Sequence, residues 1–228
     1  MISRKQEFFG GLGLIIAFVI VLIFFFLPLY HGMNGLDYLD NLYNSISKAS
    51  AYYIPKVKKE CEPFKGKRVT VTLKMADDKT AEQTALLFRA AGAELLLSGS
   101  ELKVGGDLGQ ILQNSLDDAD AMYHNEGEKV RSKYGYEGRR VLYNWWLAFH
   151  EMDRDLKKQK EFNSAAIISL VVKKAIEPSY NYYQIEPQSI GDKFGTVIFS
   201  LVFYVVYTLW YGFAILFMFE GWGLQLGH

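Results

Sequence analysis

The chain carries two long apolar blocks, one near each end, and nearly all of its charge lies between them. No charged residue occurs from Phe8 to Leu36 or from Phe194 to Phe219. Each block exceeds the roughly 20 apolar residues that a helix needs to cross a bilayer. The pattern predicts an α+β membrane protein divided into a cytoplasmic tail at 1–11, a transmembrane helix at 12–30, one extracytoplasmic domain at 31–194, a second transmembrane helix at 195–219 and a cytoplasmic tail at 220–228.

The charges that flank the first block predict its orientation. The block ends without a small-x-small cleavage pattern, so we expect a retained anchor rather than a signal peptide. Arg4 and Lys5 precede it, whereas the first charges on its far side are Asp37 and Asp40. Under the positive-inside rule this bias places the N-terminus in the cytoplasm. We therefore expect a bacterial inner-membrane protein whose large domain lies on the periplasmic side.

The middle of the chain contains a readable β-α-β-β-α unit. Alternating apolar and polar residues predict a half-buried strand over Arg68–Met75. Asp77 is placed to cap the helix that follows. The stretch from Glu94 to Val104 has the pattern of a hairpin that turns at Gly99-Ser100, and Asp107 is placed to cap the next helix.

This order of elements resembles the small ring-building modules of bacterial secretion and flagellar basal-body proteins. Those modules act by packing against copies of themselves or against neighbouring subunits. The resemblance covers about a quarter of the chain, concerns topology alone and includes no diagnostic motif, so it assigns no family.

Helices are expected before and after this unit. Helical periodicity predicts a helix from Asp37 to Tyr53 that stops near Pro55. The basic stretch from Lys56 to Arg68 is interpreted as a solvated linker. The end of the domain predicts a C-terminal helical hairpin.

That hairpin begins at Gly138. Its second helix is expected to start after Ser164, to cover Ala165–Glu177 and to end at Pro178. Trp145 and Trp146, with Tyr143, form the densest aromatic patch of the domain. At helical spacing such aromatic residues are interpreted as core rather than as a ligand cage.

Composition narrows the classes of function. The chain has 25 basic and 25 acidic residues, and this balance argues against nucleic-acid binding, which rests on clustered positive charge. Cys61 is the only cysteine, so the chain has no internal disulfide. No Gly-rich phosphate loop and no Ser-His-Asp set is recognisable. The sequence therefore predicts no catalytic site and no cofactor of its own.

A metal site has only weak candidates. Asp117, Asp120 and His124 share one helix face, but no fourth ligand is evident, and a solvated acidic face explains the same residues. His150 begins a segment that resembles a zinc-peptidase helix, yet the position four residues later is Arg154. We therefore expect no metal centre.

The second apolar block nevertheless carries six hydroxyl side chains. On a helix of about 100° per residue they fall within one arc of about 120°. They are Thr196, Ser200, Tyr204, Tyr207, Thr208 and Tyr211. Lipid tails offer hydroxyls no partner, and the first block has no hydroxyl between Gly13 and Leu29. We therefore expect this hydroxyl stripe to bind another polypeptide within the membrane.

Two alternatives for the hydroxyl stripe stay open. One is an aromatic belt at the membrane surfaces. The other is a polar groove for a quinone or a lipid headgroup. The packing device of the first block is its small residues, Gly10, Gly11, Gly13 and Ala17, among which Gly10, Gly13 and Ala17 are the expected helix-packing positions.

The leading hypothesis is a non-catalytic accessory or assembly subunit of a multi-protein inner-membrane complex. It would dock through the second transmembrane helix onto other membrane subunits or copies of itself, with lipids around the rest. A second hypothesis is a sensory or regulatory protein whose periplasmic domain binds a ligand. A third is an anchor subunit in which His31 contributes to a haem or quinone site built by another chain.

Overall fold

The computed structural model describes residues 2–224. The described helices are α1 (Lys5–Phe26), α2 (Gly35–Ser50), α3 (Ile54–Cys61), α4 (Asp78–Ala90), α5 (Leu108–Tyr123), α6 (Gly127–Tyr134), α7 (Gly138–Lys158), α8 (Phe162–Val171), α9 (Glu177–Asn181) and α10 (Ile190–Trp222). The strands are β1 (Arg68–Lys74), β2 (Glu94–Ser98) and β3 (Glu101–Asp107). A 3₁₀ turn covers Glu62–Phe64, and a π-helix covers Val172–Ile176.

The chain forms two compact units. Of the described residues, 2–46 and 187–224 make the first, which we call the helical unit, and Ser47–Glu186 make the second, the polar domain. In the helical unit α1 packs against α10. Both helices are long and apolar enough, by length and composition, to cross a membrane; their most apolar windows have mean hydropathies of 2.9 and 1.9.

The apolar helices differ in length from the expected spans. The first extends from Lys5 to Phe26 rather than from 12 to 30. It ends at Phe26 because Leu27 precedes Pro28 and takes an extended conformation. The second begins at Ile190, where the Ser189 hydroxyl accepts a hydrogen bond from the Gly191 N–H. Of the predicted tail at 220–228, residues 225–228 lie outside the described residues.

The structure confirms the β-α-β-β-α order in the polar domain. The sheet has the strand order β1-β3-β2, with β3 antiparallel to both neighbours. Side chains of β1 alternate between exposed and buried, as the pattern predicted. The hairpin turns at Gly99-Ser100, where Gly99 adopts a φ of +56° that glycine tolerates best.

Both predicted aspartate caps are confirmed. Asp77 accepts from the Thr80 N–H at 2.6 Å, and Asp107 accepts from the Gln110 N–H at 3.3 Å. Each cap satisfies an N–H that the first helical turn leaves without an internal partner. Asp107 also accepts from the Gly66 N–H at 2.8 Å, which ties the segment before β1 to the start of α5.

The expected linker over Lys56–Arg68 was wrong, because α3 occupies its first half. Ile54, Val57 and Cys61 are buried in the core, while the lysines between them point outward. Pro55 lies in the first turn, where its missing N–H removes no helical hydrogen bond. Burial raises the pKa of the Cys61 thiol to about 12, which keeps the thiol protonated and unreactive near neutral pH.

The helical hairpin is confirmed, but the limits of its second helix are not those predicted. That helix begins at Phe162 rather than after Ser164, whose buried hydroxyl donates to Glu161. Pro178 does not end it either. The π-helix comes first, and α9 starts with Pro178 in its opening turn, where proline is tolerated.

A buried lysine joins the two ends of the polar domain. The Lys48 side chain is 2% exposed, and its ammonium donates to Asn125 Oδ1 at 2.9 Å and to the carbonyl oxygens of Tyr182 at 3.0 Å and Ile185 at 2.6 Å. Burial lowers the pKa of Lys48, and the charge of Glu186 partly offsets this effect. All three ammonium hydrogens thus have acceptors. The last turn of α2, with which the polar domain begins, is therefore fixed to the last residues of the domain.

A buried carboxylate plays a similar part in the core. Asp118 is 2% exposed and accepts from Lys133 Nζ at 2.7 Å, the Tyr134 hydroxyl at 2.6 Å and Trp145 Nε1 at 2.8 Å. These donors come from α6 and α7, whereas Asp118 lies on α5. Because a buried carboxylate without donors is costly, the three helices are fixed together around it.

We predict that Lys48→Met destabilises the polar domain. Methionine fills a similar volume but removes three hydrogen bonds made by the Lys48 ammonium, while each acceptor oxygen keeps one other donor, so the free energy of unfolding should fall by about 2–4 kcal/mol. Lys59→Met, at an exposed position of α3, should change it by less than about 0.5 kcal/mol. Thermal and urea unfolding of the full chain in one detergent, followed by near-UV circular dichroism, measures both. Equal stability of the two variants would contradict this stabilising role of Lys48.

Alkaline pH should weaken the fold. Burial raises the pKa of Tyr136 to about 12 and that of Tyr123 to about 12, whereas an unfolded tyrosine ionises near about 10. Their stabilising contribution is therefore complete below about pH 10 and is lost as the pH rises through about 12. Urea midpoints measured from pH 8 to pH 12 should fall across this window. The fall should be smaller in Tyr136→Phe, and an identical fall would contradict this origin.

Candidate functional site

Two glycines set the closest approach of α1 and α10. A Cβ atom added to Gly11 would lie 2.7 Å from the Ala214 carbonyl oxygen and 2.7 Å from the Met218 nitrogen. Gly221 faces the backbone of Phe8 in the same way, and its carbonyl oxygen accepts from the Ser3 and Arg4 N–H groups, each at 3.0 Å. Small residues therefore let the two backbones meet.

Gly10 and Gly13, two of the expected packing positions, take no part in the contact between α1 and α10. A Cβ atom at either glycine would meet nothing within 4 Å, whereas Ala17 is half-buried. The contact follows the side of α1 that carries Phe8, Gly11 and Phe18, spaced three or seven residues apart. The sequence contained the small residues, but its glycines at 10, 11 and 13 left the contacting face undetermined.

The inner part of the hydroxyl stripe faces other residues of the helical unit. Ser200 is buried; its hydroxyl lies 2.6 Å from that of Tyr43 on α2 and donates to the Val197 carbonyl at 2.8 Å. The Tyr207 ring stacks on Phe18, with ring centroids 4.2 Å apart. Thr196 is half-buried and lines a small cleft together with Ser200.

The outer part of the stripe is largely exposed, although the Tyr211 ring also lies against Phe18, with ring centroids 5.2 Å apart. Tyr204 is 68% exposed and Tyr211 is 47% exposed. Thr208 is exposed too, but its hydroxyl donates to the Tyr204 carbonyl at 2.7 Å. Neither phenol hydroxyl of Tyr204 and Tyr211 hydrogen-bonds to any residue within 2–224.

The expectation that a second chain serves all six hydroxyls overlooked the partners that Ser200 and Thr208 find within the chain, and it stays a prediction for the other four. It considered α1 alone, which has no hydroxyl to offer, and omitted Tyr43 of the amphipathic helix α2. It also omitted the helix's own carbonyls, to which Ser and Thr hydroxyls commonly bond. The phenols of Tyr204 and Tyr211 reach outward beyond those carbonyls, so these two residues are what we call the docking pair.

The weak metal candidates form a charge network with a lysine. Lys58 Nζ lies 2.9 Å from Asp117 Oδ1 and 3.3 Å from Asp120 Oδ2. Asp120 Oδ1 accepts from the Tyr52 hydroxyl at 2.7 Å, and His124 Nδ1 lies 3.2 Å from the same oxygen. The lysine occupies the place between the carboxylates, and the described residues contain no group of three or more potential metal-binding side chains.

The aromatic patch of the sequence divides between core and surface. Trp145 is buried and donates to Asp118, as the core interpretation predicted. Trp146 instead lines a surface cleft of about 310 Å³, together with Tyr143, Glu177, Tyr180 and other residues of the polar domain. We call this cleft the aromatic groove.

The groove was missed in the sequence because its two walls are far apart along the chain. Trp146 and Tyr143 share a face of α7, with nearly parallel rings whose centroids are 6.0 Å apart. Glu177 and Tyr180 come from α9. The Trp146 Nε1–H donates to Glu177 Oε1 at 3.0 Å, and this hydrogen bond connects the two walls.

No protein-family model, no curated protein and no solved structure matches this chain.

We predict that Gly11→Val separates α1 from α10. The added carbons cannot enter the contact with Ala214 and Met218 unless the backbones move apart. Cysteines placed at Phe18 and Tyr207, whose rings are stacked, should cross-link efficiently through a short bismaleimide in the parent chain and at least about fivefold less in Gly11→Val. Gly13→Val, which points into open space, should cross-link like the parent. Equal yields for both variants would contradict the assigned face.

Proposed function

We propose that this protein is a non-catalytic accessory or assembly subunit of a bacterial inner-membrane complex. In this proposal α1 and α10 span the membrane, and the polar domain lies on the periplasmic side, where it presents an interaction surface. The single observation that carries the proposal is the docking pair, two outward phenol hydroxyls on an apolar helix that no described residue binds.

The physical reason is the absence of water in the hydrocarbon core. A polar group there has no solvent partner, so hydroxyls in spans usually turn toward other protein helices. An interhelical hydrogen bond is worth about 0.6–2 kcal/mol in this setting. The partner proposed for Tyr204 and Tyr211 is therefore a polar group on a helix of another membrane subunit or of a second copy.

The rest of the helical pair suits lipid. From Phe194 to Phe219 the exposed side chains other than Thr208 and the docking pair are apolar, among them Phe199, Val202, Leu209 and Phe213. The positive residues before α1 and the acidic residues after it support the proposed orientation.

A second candidate function is ligand sensing by the polar domain, and the aromatic groove favours it. The groove is formed wholly within the domain and has the concave, mostly apolar character of small-molecule sites. The third hypothesis, a redox anchor through His31, finds less support. His31 lies exposed in a turn, with a φ of +53°.

We expect removal of the two outward hydroxyls to weaken the complex. In Tyr204→Phe/Tyr211→Phe the rings remain and two interhelical hydrogen bonds are lost, so the dissociation constant of the complex should rise about tenfold or more. Native mass spectrometry of the full chain, extracted from its inner membrane in mild detergent and diluted in steps, measures the bound fraction.

Tyr207→Phe is the matched control, because the Tyr207 hydroxyl is shielded within the helical unit, where a second chain cannot reach it. It should retain the complex at wild-type level. A wild-type protein that is extracted as a solitary chain, or a double variant that keeps its partner fully, would refute docking through this face.

A further inference from the structure

The aromatic groove lies where the π-helix passes into α9. A π-helical turn is wider than an α-helical one, and such turns occur frequently at functional sites. Here it ends at Ile176, two residues before Pro178, whose missing N–H prevents a continuous α-helical hydrogen-bond ladder. Ile176 and Glu177, at this junction, form one wall opposite Tyr143 and Trp146 of α7.

Two large aromatic rings of this groove, Tyr143 and Tyr180, remain exposed, whereas the Trp146 ring lies against His150 with ring centroids 4.0 Å apart. Tyr143 is 39% exposed, Tyr180 is exposed and Trp146 is half-buried, although the core beneath them is tightly closed. Three rings grouped at one concave site present far more apolar surface than scattered surface residues do. The aromatic residues of α7 that fill the core are others, Trp145 and Phe149, which are fully buried.

The groove also carries a carboxylate that lacks a cationic partner. Glu177 uses Oε1 to accept from Trp146, and within residues 2–224 its other oxygen makes neither a hydrogen bond nor an ion pair. A smaller cleft of about 80 Å³ continues past Glu177 along His150, Asp153 and Lys173. There Asp153 Oδ2 binds Lys157 at 2.7 Å, while Asp153 Oδ1 is shielded from solvent and has no partner among the described residues.

The two arginines near the groove lie over tyrosine rings at its opposite end. The Arg139 guanidinium lies over the Tyr180 ring at 5.3 Å, and that of Arg140 lies over the Tyr143 ring at 5.2 Å. Arg140 also donates to Thr80 at 2.8 Å and to Gln83 at 3.2 Å. The end of the groove at Glu177 is therefore its acidic end, and Lys173 in the adjoining cleft is exposed.

We propose that the aromatic groove binds a small organic amine with an aromatic or similarly apolar body. The ammonium group donates to the free oxygen of Glu177, and the body lies against Tyr143, Trp146 and Tyr180. Tryptophan and tyrosine faces attract cations, and the carboxylate adds a charge-assisted hydrogen bond. An organic acid of the same shape would meet the Glu177 charge instead and be repelled.

The proposal is tested by isothermal titration calorimetry on the full chain in non-ionic detergent. The probes are phenethylamine, phenylacetate of nearly the same shape, and ethylamine, which lacks the ring. Phenethylamine should bind saturably at about 1 mM or below. Ethylamine and phenylacetate should each bind at least about tenfold more weakly, since one lacks the aromatic body and the other the cation.

Variants locate the binding. Glu177→Gln should weaken phenethylamine at least about tenfold, because the amide still accepts from Trp146 but carries no charge. Glu151→Gln removes an acid of α7 that pairs with Arg154 outside the groove, and it should bind like the wild type. If Glu177→Gln alters the near-UV spectrum, Tyr180→Leu, at an exposed ring, must show weakened binding instead.

Three results would overturn the proposal. They are the absence of saturable phenethylamine binding to the wild type, equal binding by phenylacetate, and wild-type affinity in both Glu177→Gln and Tyr180→Leu. None of these results bears on the docking pair, because the groove lies wholly within the polar domain.

Discussion

Hydroxyl groups on an apolar helix need partners, and this constraint organises the helical unit. Ser200 meets Tyr43 of α2, and Thr208 bonds to a carbonyl of its own helix. The Tyr207 ring lies flat against Phe18 in the contact between α1 and α10, and its shielded hydroxyl is an exception without a partner among the described residues. The phenols of the docking pair instead project outward, beyond the reach of the described residues. The proposed role as a docking subunit therefore rests on Tyr204 and Tyr211 rather than on all six hydroxyls.

The need of polar groups for partners also applies to the polar domain, where two carboxylates are exceptions. Lys48 and Asp118 are buried charges, and each has three hydrogen-bond partners, so they fix distant segments to each other. Glu177 and Asp153 differ, because each retains an oxygen without a donor among the described residues. These two carboxylates and the adjacent rings leave a place for a ligand in a domain whose central charges are fully bonded.

Local patterns predicted local structure well. The alternation in β1, the caps at Asp77 and Asp107 and the hairpin turn depend on residues close in sequence, and all three are found. Errors arose where a distant partner decides the outcome. The basic stretch that contains α3 is rich in lysine, so the segment resembled a linker. Three features depend on contacts between residues far apart in sequence. They are the hydrogen bonds of Lys48, the aromatic groove at Trp146 and the use of Gly11 rather than Gly10 or Gly13 in the contact with α10.

A photo-reactive phenylalanine analogue placed at Tyr204 in native membranes tests the docking claim most directly. The matched position is Phe213, which is also exposed but lies on the opposite side of α10. The account predicts a discrete protein adduct, either to another subunit or to a second copy, from position 204 and lipid adducts alone from position 213. Lipid adducts alone from position 204 would contradict it.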